Sequence, residues 1–221
     1  MQVQRKTGDA KRQEFERAFL STLMLDADAA IRRFRDPAND VQQARRELIR
    51  SVHATIDGVV WAFREHVRSS AHAMDLLTAA EEAVLAETNF QVSERGTISA
   101  QTRHIPLLGA VRLAARIATK IDPIFTADFG GTEWQDFCSA VATRNRVTHP
   151  KTFADLEVSA AEVDQVLSSF FWILELAVGA MESSVNVLRD FALNLGDVAK
   201  GLTEGNAEIL QAYHQVIRDA Q

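Results

Sequence analysis

Arg144, Asn145 and His149 fall close together in the stretch Arg144-Asn145-Arg146-Val147-Thr148-His149-Pro150-Lys151, and their side chains suit one chemistry. Histidine changes charge near neutral pH, so it can take a proton from one oxygen or give one to another. Arginine is a permanent cation whose fork of donors fits a phosphate. Side by side they can cut RNA without a metal. The ribose 2′-hydroxyl attacks the adjacent phosphorus, histidine handles a proton, and arginine steadies the growing negative charge. Asn145 can orient either side chain or donate to a phosphoryl oxygen. One histidine does not easily act as acid and base together, whereas a two-fold dimer facing two copies of the motif across a cleft supplies both. Arg146 and Lys151 are candidates for nonspecific contact with an RNA backbone.

Such residues need a helix that stops at the right place. Pro150 disfavours the helical conformation at His149, so His149 is expected at a helix end. The helix leading in shows in Trp134, Phe137, Cys138 and Val141, an apolar stripe at helical spacing. Arg144 projects from that same side, where a guanidinium seldom sits without a partner or a task. Arg146 is expected to point away into solvent. A purely structural use of the same residues has His149 meeting the negative end of the helix dipole, and Arg144 pairing with Asp155 or Glu157.

Other chemistry-bearing residues give weaker patterns. His53, Asp57 and Arg64 lie within about 20–40° of one direction on a helical wheel. They read as a solvated or dimer-facing ion-pair strip. His66 and His72 have no metal-ligand spacing with an acid or cysteine cluster, so no metal and no cofactor is expected. His104, next to Arg103 and ahead of Pro106, reads as a loop histidine that could extend an RNA track. Cys138, the single cysteine, lies on the apolar stripe and reads as a small core residue; alone it forms no internal disulfide. No phosphate-binding glycine loop and no serine-centred elbow appear.

The elements that must position the motif follow from period and punctuation. Residues 2–24 read as a helix with Phe15, Phe19, Leu20 and Leu23 on one side. Asp36-Pro37-Ala38-Asn39-Asp40 breaks the chain, with Asp40 as an N-cap. From 41 to 67, Leu48, Val52, Ile56, Val59, Phe63 and Val67 mark a long core helix. Thr78-Ala79-Ala80-Glu81 is a capping box for a short helix ending near Glu87. Residues 90–98 alternate around Gly96, consistent with a small hairpin or an ordered loop. A helix over 107–121 turns Leu108, Val111, Ala115 and Ala118 inward and its arginines outward. Thr132-Glu133-Trp134-Gln135 reads as a second capping box, opening the motif helix. Ser159-Ala160-Ala161-Glu162 is a third, opening an apolar helix that extends toward Leu195. Gly196, Gly201 and Gly205 are expected to break the chain before a last amphipathic helix through Ile209, Leu210, Tyr213 and Ile217. The class is all-α, a helical bundle of four to five core helices with an inserted loop or short hairpin and a C-terminal helical extension. The divisions are an N-terminal helical segment at 1–40, the bundle at 41–179 and, at 180–221, a C-terminal helical extension of the same domain.

Net charge is −6, which argues against a surface coated in positive potential. The distribution is uneven, however: residues 95–154 carry eight Lys or Arg against four acids, and residues 155–221 carry three against eleven. The basic segment is the one that contains the motif, a modest sign of anion binding. The N-terminus is polar with no apolar run suited to a signal peptide, and the greasiest run, 170–181, is too short to span a bilayer and contains Glu175. No membrane partner and a cytoplasmic location are expected.

Taken with its context, the motif resembles the signature of the HEPN superfamily of small α-helical bundles. That signature is an arginine followed by a polar residue, then a histidine after a gap of four to six; Arg144, Asn145 and His149 match it one for one. The resemblance covers the motif, its flanking helices and the helix over 41–67. It implies a homodimer with a composite site and, in many members, metal-independent endoribonuclease activity in toxin–antitoxin or phage-defence systems, with a cognate antitoxin or regulator as a further partner. Other members are non-catalytic dimerisation or adaptor modules. Some toxin members carry a tyrosine two residues after the histidine, where this chain has Lys151.

Overall fold

The computed structural model describes the backbone of residues 2–219 and the side chains of residues 17–218. Seven α-helices and one two-stranded hairpin follow in the order α1 (Gln2–Arg35), α2 (Val41–Ala73), α3 (Ala79–Leu85), β1 (Thr88–Val92), β2 (Ile98–Thr102), α4 (Leu107–Ile121), α5 (Thr132–Thr148), α6 (Ala160–Glu204) and α7 (Ala207–Asp219). The chain is an all-α bundle, as its periodicity predicts. Helix α2 stands at the centre, against α1, α4, α5 and α6. Its position explains its composition: Leu48, Val52, Ile56, Phe63 and Val67 are fully enclosed.

Local signals set most boundaries. Asp40 accepts the Gln43 N–H at 2.7 Å and caps α2. Thr78 with Glu81, and Ser159 with Glu162, form complete capping boxes at α3 and α6. The hairpin pairs Thr88 with Thr102 and Val92 with Ile98, turning through Gly96 at φ 74°. Helix α1 continues past Met24 to Arg35, and α2 past Val67 to Ala73. Phe19, Leu20 and Leu23 are half-buried on α1 as expected, while Phe15 lies outside the described side chains.

Two expectations fail. Thr132 does not cap α5; the cap is Gly131, and Thr132 already belongs to the helix. The preceding Asp128 takes both the Gly130 and Gly131 N–H groups on one carboxylate oxygen, which shapes the entry without a capping box. Nor do Gly196 and Gly201 break the chain. Helix α6 runs unbroken for 45 residues, roughly 68 Å at 1.5 Å per residue, and stops only at Gly205 in the left-handed conformation, φ 73°. The junction expected at 179/180 therefore falls inside a helix.

Helix α6 has two environments. Val163, Val166, Phe170, Ile173, Ala177 and Ala180 face the core. Trp172 meets Trp134 and Phe137 of α5 at ring distances of 5.9 and 5.8 Å, and Arg112 of α4 lies 4.5 Å over the Trp134 ring. This aromatic cluster fixes α5 against α4 and α6. Beyond residue 188, α6 leaves the bundle and its apolar residues Leu193, Leu195 and Val198 are exposed. By length and composition α6 is the one helix among the described residues long and apolar enough to cross a membrane, although its first half is a core helix.

Candidate active site

The motif sits where α5 ends, and α2 determines that end. The last carbonyls of a helix have no partner within it. Here Arg50 of α2 donates to the Val147 carbonyl at 3.1 Å, Arg46 to Leu156 at 3.1 Å and Arg45 to Val158 at 2.7 Å. Gln42 bonds Val158 in both directions, accepting its N–H at 2.9 Å and donating to its carbonyl at 3.0 Å. Arg50 thus holds the end of α5, and Gln42, Arg45 and Arg46 hold the connection that follows His149. Asp155 orders the connection from within by accepting the Lys151 and Thr152 N–H groups, each at 2.8 Å.

Arg146 belongs to this scaffold. It was expected in solvent and free for RNA, yet it is only 28% exposed. Its guanidinium donates to the Asp155 and Glu157 carbonyls at 2.8 Å each and pairs with Glu162 at 2.5 Å. The second oxygen of Glu162 accepts the Ser159 N–H at 2.9 Å, so one carboxylate joins the start of α6 to the end of α5. Exposed Lys151 keeps its ammonium free of ion pairs among the described residues.

His149 caps α5 and is exposed, its backbone N–H donating to the Asn145 carbonyl at 3.0 Å. Arg144 faces elsewhere. Its side chain is 35% exposed and donates to Asn145 Oδ1 at 3.0 Å and to Asp57 Oδ2 at 3.2 Å. The amide thus orients the guanidinium, one of the two uses foreseen for it. The carboxylate comes from α2 rather than from Asp155 or Glu157. No hydrogen bond or ion pair among the described residues joins Arg144 to His149, and His149 does not line the crevice that Arg144 enters.

That crevice, about 500 Å³, is lined by Asp57 and Arg64 of the α2 strip and by Trp61, Glu87, His104 and Arg144, while His53 lies outside it. Two of the three strip residues, His53 and Arg64, are buried rather than solvated, while the Asp57 side chain is 43% exposed. Arg64 is 7% exposed and pairs with Glu87 at 2.9 Å. Glu87 also accepts from His104 at 3.3 Å and from the Ile105 N–H at 3.1 Å. His53 is 1% exposed, and neither ring nitrogen has a hydrogen-bond partner. Burial and, second to it, the Arg144 charge together lower its pKa to about 4, with the Ala140 backbone pulling the other way. Burial raises the Asp57 pKa, and Arg144 opposes that rise.

A signal for this burial was present in the sequence. His53 lies four residues after Ile49 and three before Ile56, and Arg64 stands likewise between Val60 and Val67, all buried apolar positions. Elsewhere, Cys138 is half-buried beside the core, and His66 bonds Ser184 at 2.7 Å with its pKa lowered by burial. Among the described residues no group of three or more His, Cys, Asp and Glu is placed to hold a metal ion. Comparison with protein-family models, with curated proteins and with solved structures finds no match to the chain.

Proposed function

We propose that this protein is a cytoplasmic, metal-independent endoribonuclease of HEPN type, acting as a toxin or phage-defence effector, whose complete site needs two copies of the chain. The observation that carries the reading is the setting of Arg144. Asn145 and Asp57 aim its guanidinium into an open crevice while leaving it accessible, and the exposed His149 stands at the end of the same helix on a tightly held connection. In the reaction, the 2′-hydroxyl oxygen forms a bond to phosphorus as its proton passes to a histidine. The bond to the 5′ oxygen breaks, and that oxygen takes a proton from a second histidine, leaving a 2′,3′-cyclic phosphate and a 5′-hydroxyl. Arg144 stabilises the charge on the non-bridging oxygens. Each chain has one such histidine, so the dimer is what provides acid and base together. A cognate antitoxin or regulator is the partner that would restrain it.

Purified protein with RNA in excess chelator tests this. Cyclic-phosphate ends should form, and His149→Ala and Arg144→Ala should each lower the rate by about 10²–10⁴ with the fold intact. Cleavage that persists in both variants rejects the assignment. A second reading, a non-catalytic dimerisation or adaptor module, is favoured by the Asp57 pair, which ties Arg144 into the fold. RNA left intact across varied substrates, with a stable dimer, supports that reading.

A further inference from the structure

The crevice beside Arg144 does not end at His104. A second cavity of about 280 Å³ shares Glu87, His104 and Ile105 with it and continues along Thr88, Asn89, Arg103 and Pro106 to the base of the hairpin. The two meet at these shared residues and together line the surface from the motif helix to the β1–β2 strands, which we treat as one groove.

The groove contains three guanidiniums, on Arg64, Arg103 and Arg144, against the carboxylates of Asp57 and Glu87. Glu87 is fully engaged by Arg64, His104 and the Ile105 N–H. Arg64 is enclosed in the wall and taken up by its pair with Glu87, which leaves exposed Arg103 and the partly exposed Arg144 as the accessible cations. Trp61 and His104 bring ring systems to the same walls, and base stacking on aromatic rings with a basic track for the backbone is how single strands are held without sequence preference.

We propose that this groove is the binding track for single-stranded RNA flanking the cleavage point, with bases against Trp61 and His104 and phosphates at Arg103 and Arg144. The identity of the ligand rests on the ribonuclease reading; the track itself does not depend on what His149 does.

Fluorescence anisotropy with a labelled oligouridylate, using full-length His149→Ala protein so that RNA stays whole, measures the track. Trp61→Leu and Arg103→Glu, each made in that background, should weaken binding about ten-fold. Arg103 is exposed and its substitution leaves the core alone, so loss there cannot be blamed on unfolding. Trp61→Phe, which keeps a ring, should recover most of the affinity. Binding by Arg103→Glu and Trp61→Leu within about two-fold of the parent overturns the track, even if the unmutated protein cleaves RNA. If the protein cleaves nothing, yet these substitutions still abolish binding, the nuclease reading falls and the track stands. Absence of any RNA binding by the parent overturns the track outright.

Discussion

His53 ties the stability of the bundle to pH. A histidine whose folded pKa is about 4 against an ordinary 6.5 binds its proton more readily when unfolded. Stability is therefore complete above pH 6.5 and declines as pH falls toward 4, by roughly 3 kcal/mol at 1.36 kcal/mol per pH unit. His66, lowered by burial, adds in the same direction. Asp57, raised by burial, opposes the decline just above its ordinary value. Denaturant unfolding across this range should show the decline, and His53→Leu should flatten it; an unchanged slope in the variant removes His53 as the source. Arg146 offers a second expectation. Its substitution by alanine should cost about 2–3 kcal/mol in the same experiment, because it strips donors from two carbonyls and leaves Glu162 without its cation. A loss of RNA affinity with stability unchanged would reverse that assignment. Sequence reading singled out Arg144 by its helical phase, and a partner duly appears. The partner's identity was out of reach, since Asp57 lies 87 residues away and only the fold brings them together.

At the level of helices and turns, what was legible was what is local. Asp40, Thr78 and Ser159 cap through neighbours three residues on, so their signals need no tertiary knowledge. Thr132 carried a similar pattern and failed because Asp128 and Gly131 had already set the entry. Gly196 and Gly201 misled for a different reason: a glycine in a helix costs only about 1 kcal/mol, and the helix runs on. Gly201 is buried where Ile209 of α7 lies so close that an added Cβ would collide with its side chain. Gly205 differs again, having the left-handed conformation that ends α6. Opposite outcomes follow. Gly196→Ala, in open space within a helix, should gain about 0.5–1 kcal/mol, while Gly205→Ala should lose about 1 kcal/mol or more to backbone strain. Thermal melts should shift up for the first and down for the second, by about 2–4 °C per kcal/mol in a chain of this size. A drop in both would mean that α6 needs flexibility at Gly196.

For the whole molecule, charge and exposed surface are unevenly divided. The basic segment contributes the motif and one part of the groove wall, whereas the acidic final third contributes α6 and α7. The groups that hold the His149 connection come from α2, but the backbone they grip lies 97–116 residues later in the chain. At 5–20 residues per second, a ribosome needs roughly 5–25 seconds to travel between them. A nascent polypeptide that has emerged only as far as His149 holds both side chains and the partners of Arg144, but not the Leu156 and Val158 backbone that Gln42, Arg45 and Arg46 grip. The connection after His149 thus becomes ordered only once synthesis has passed Val158.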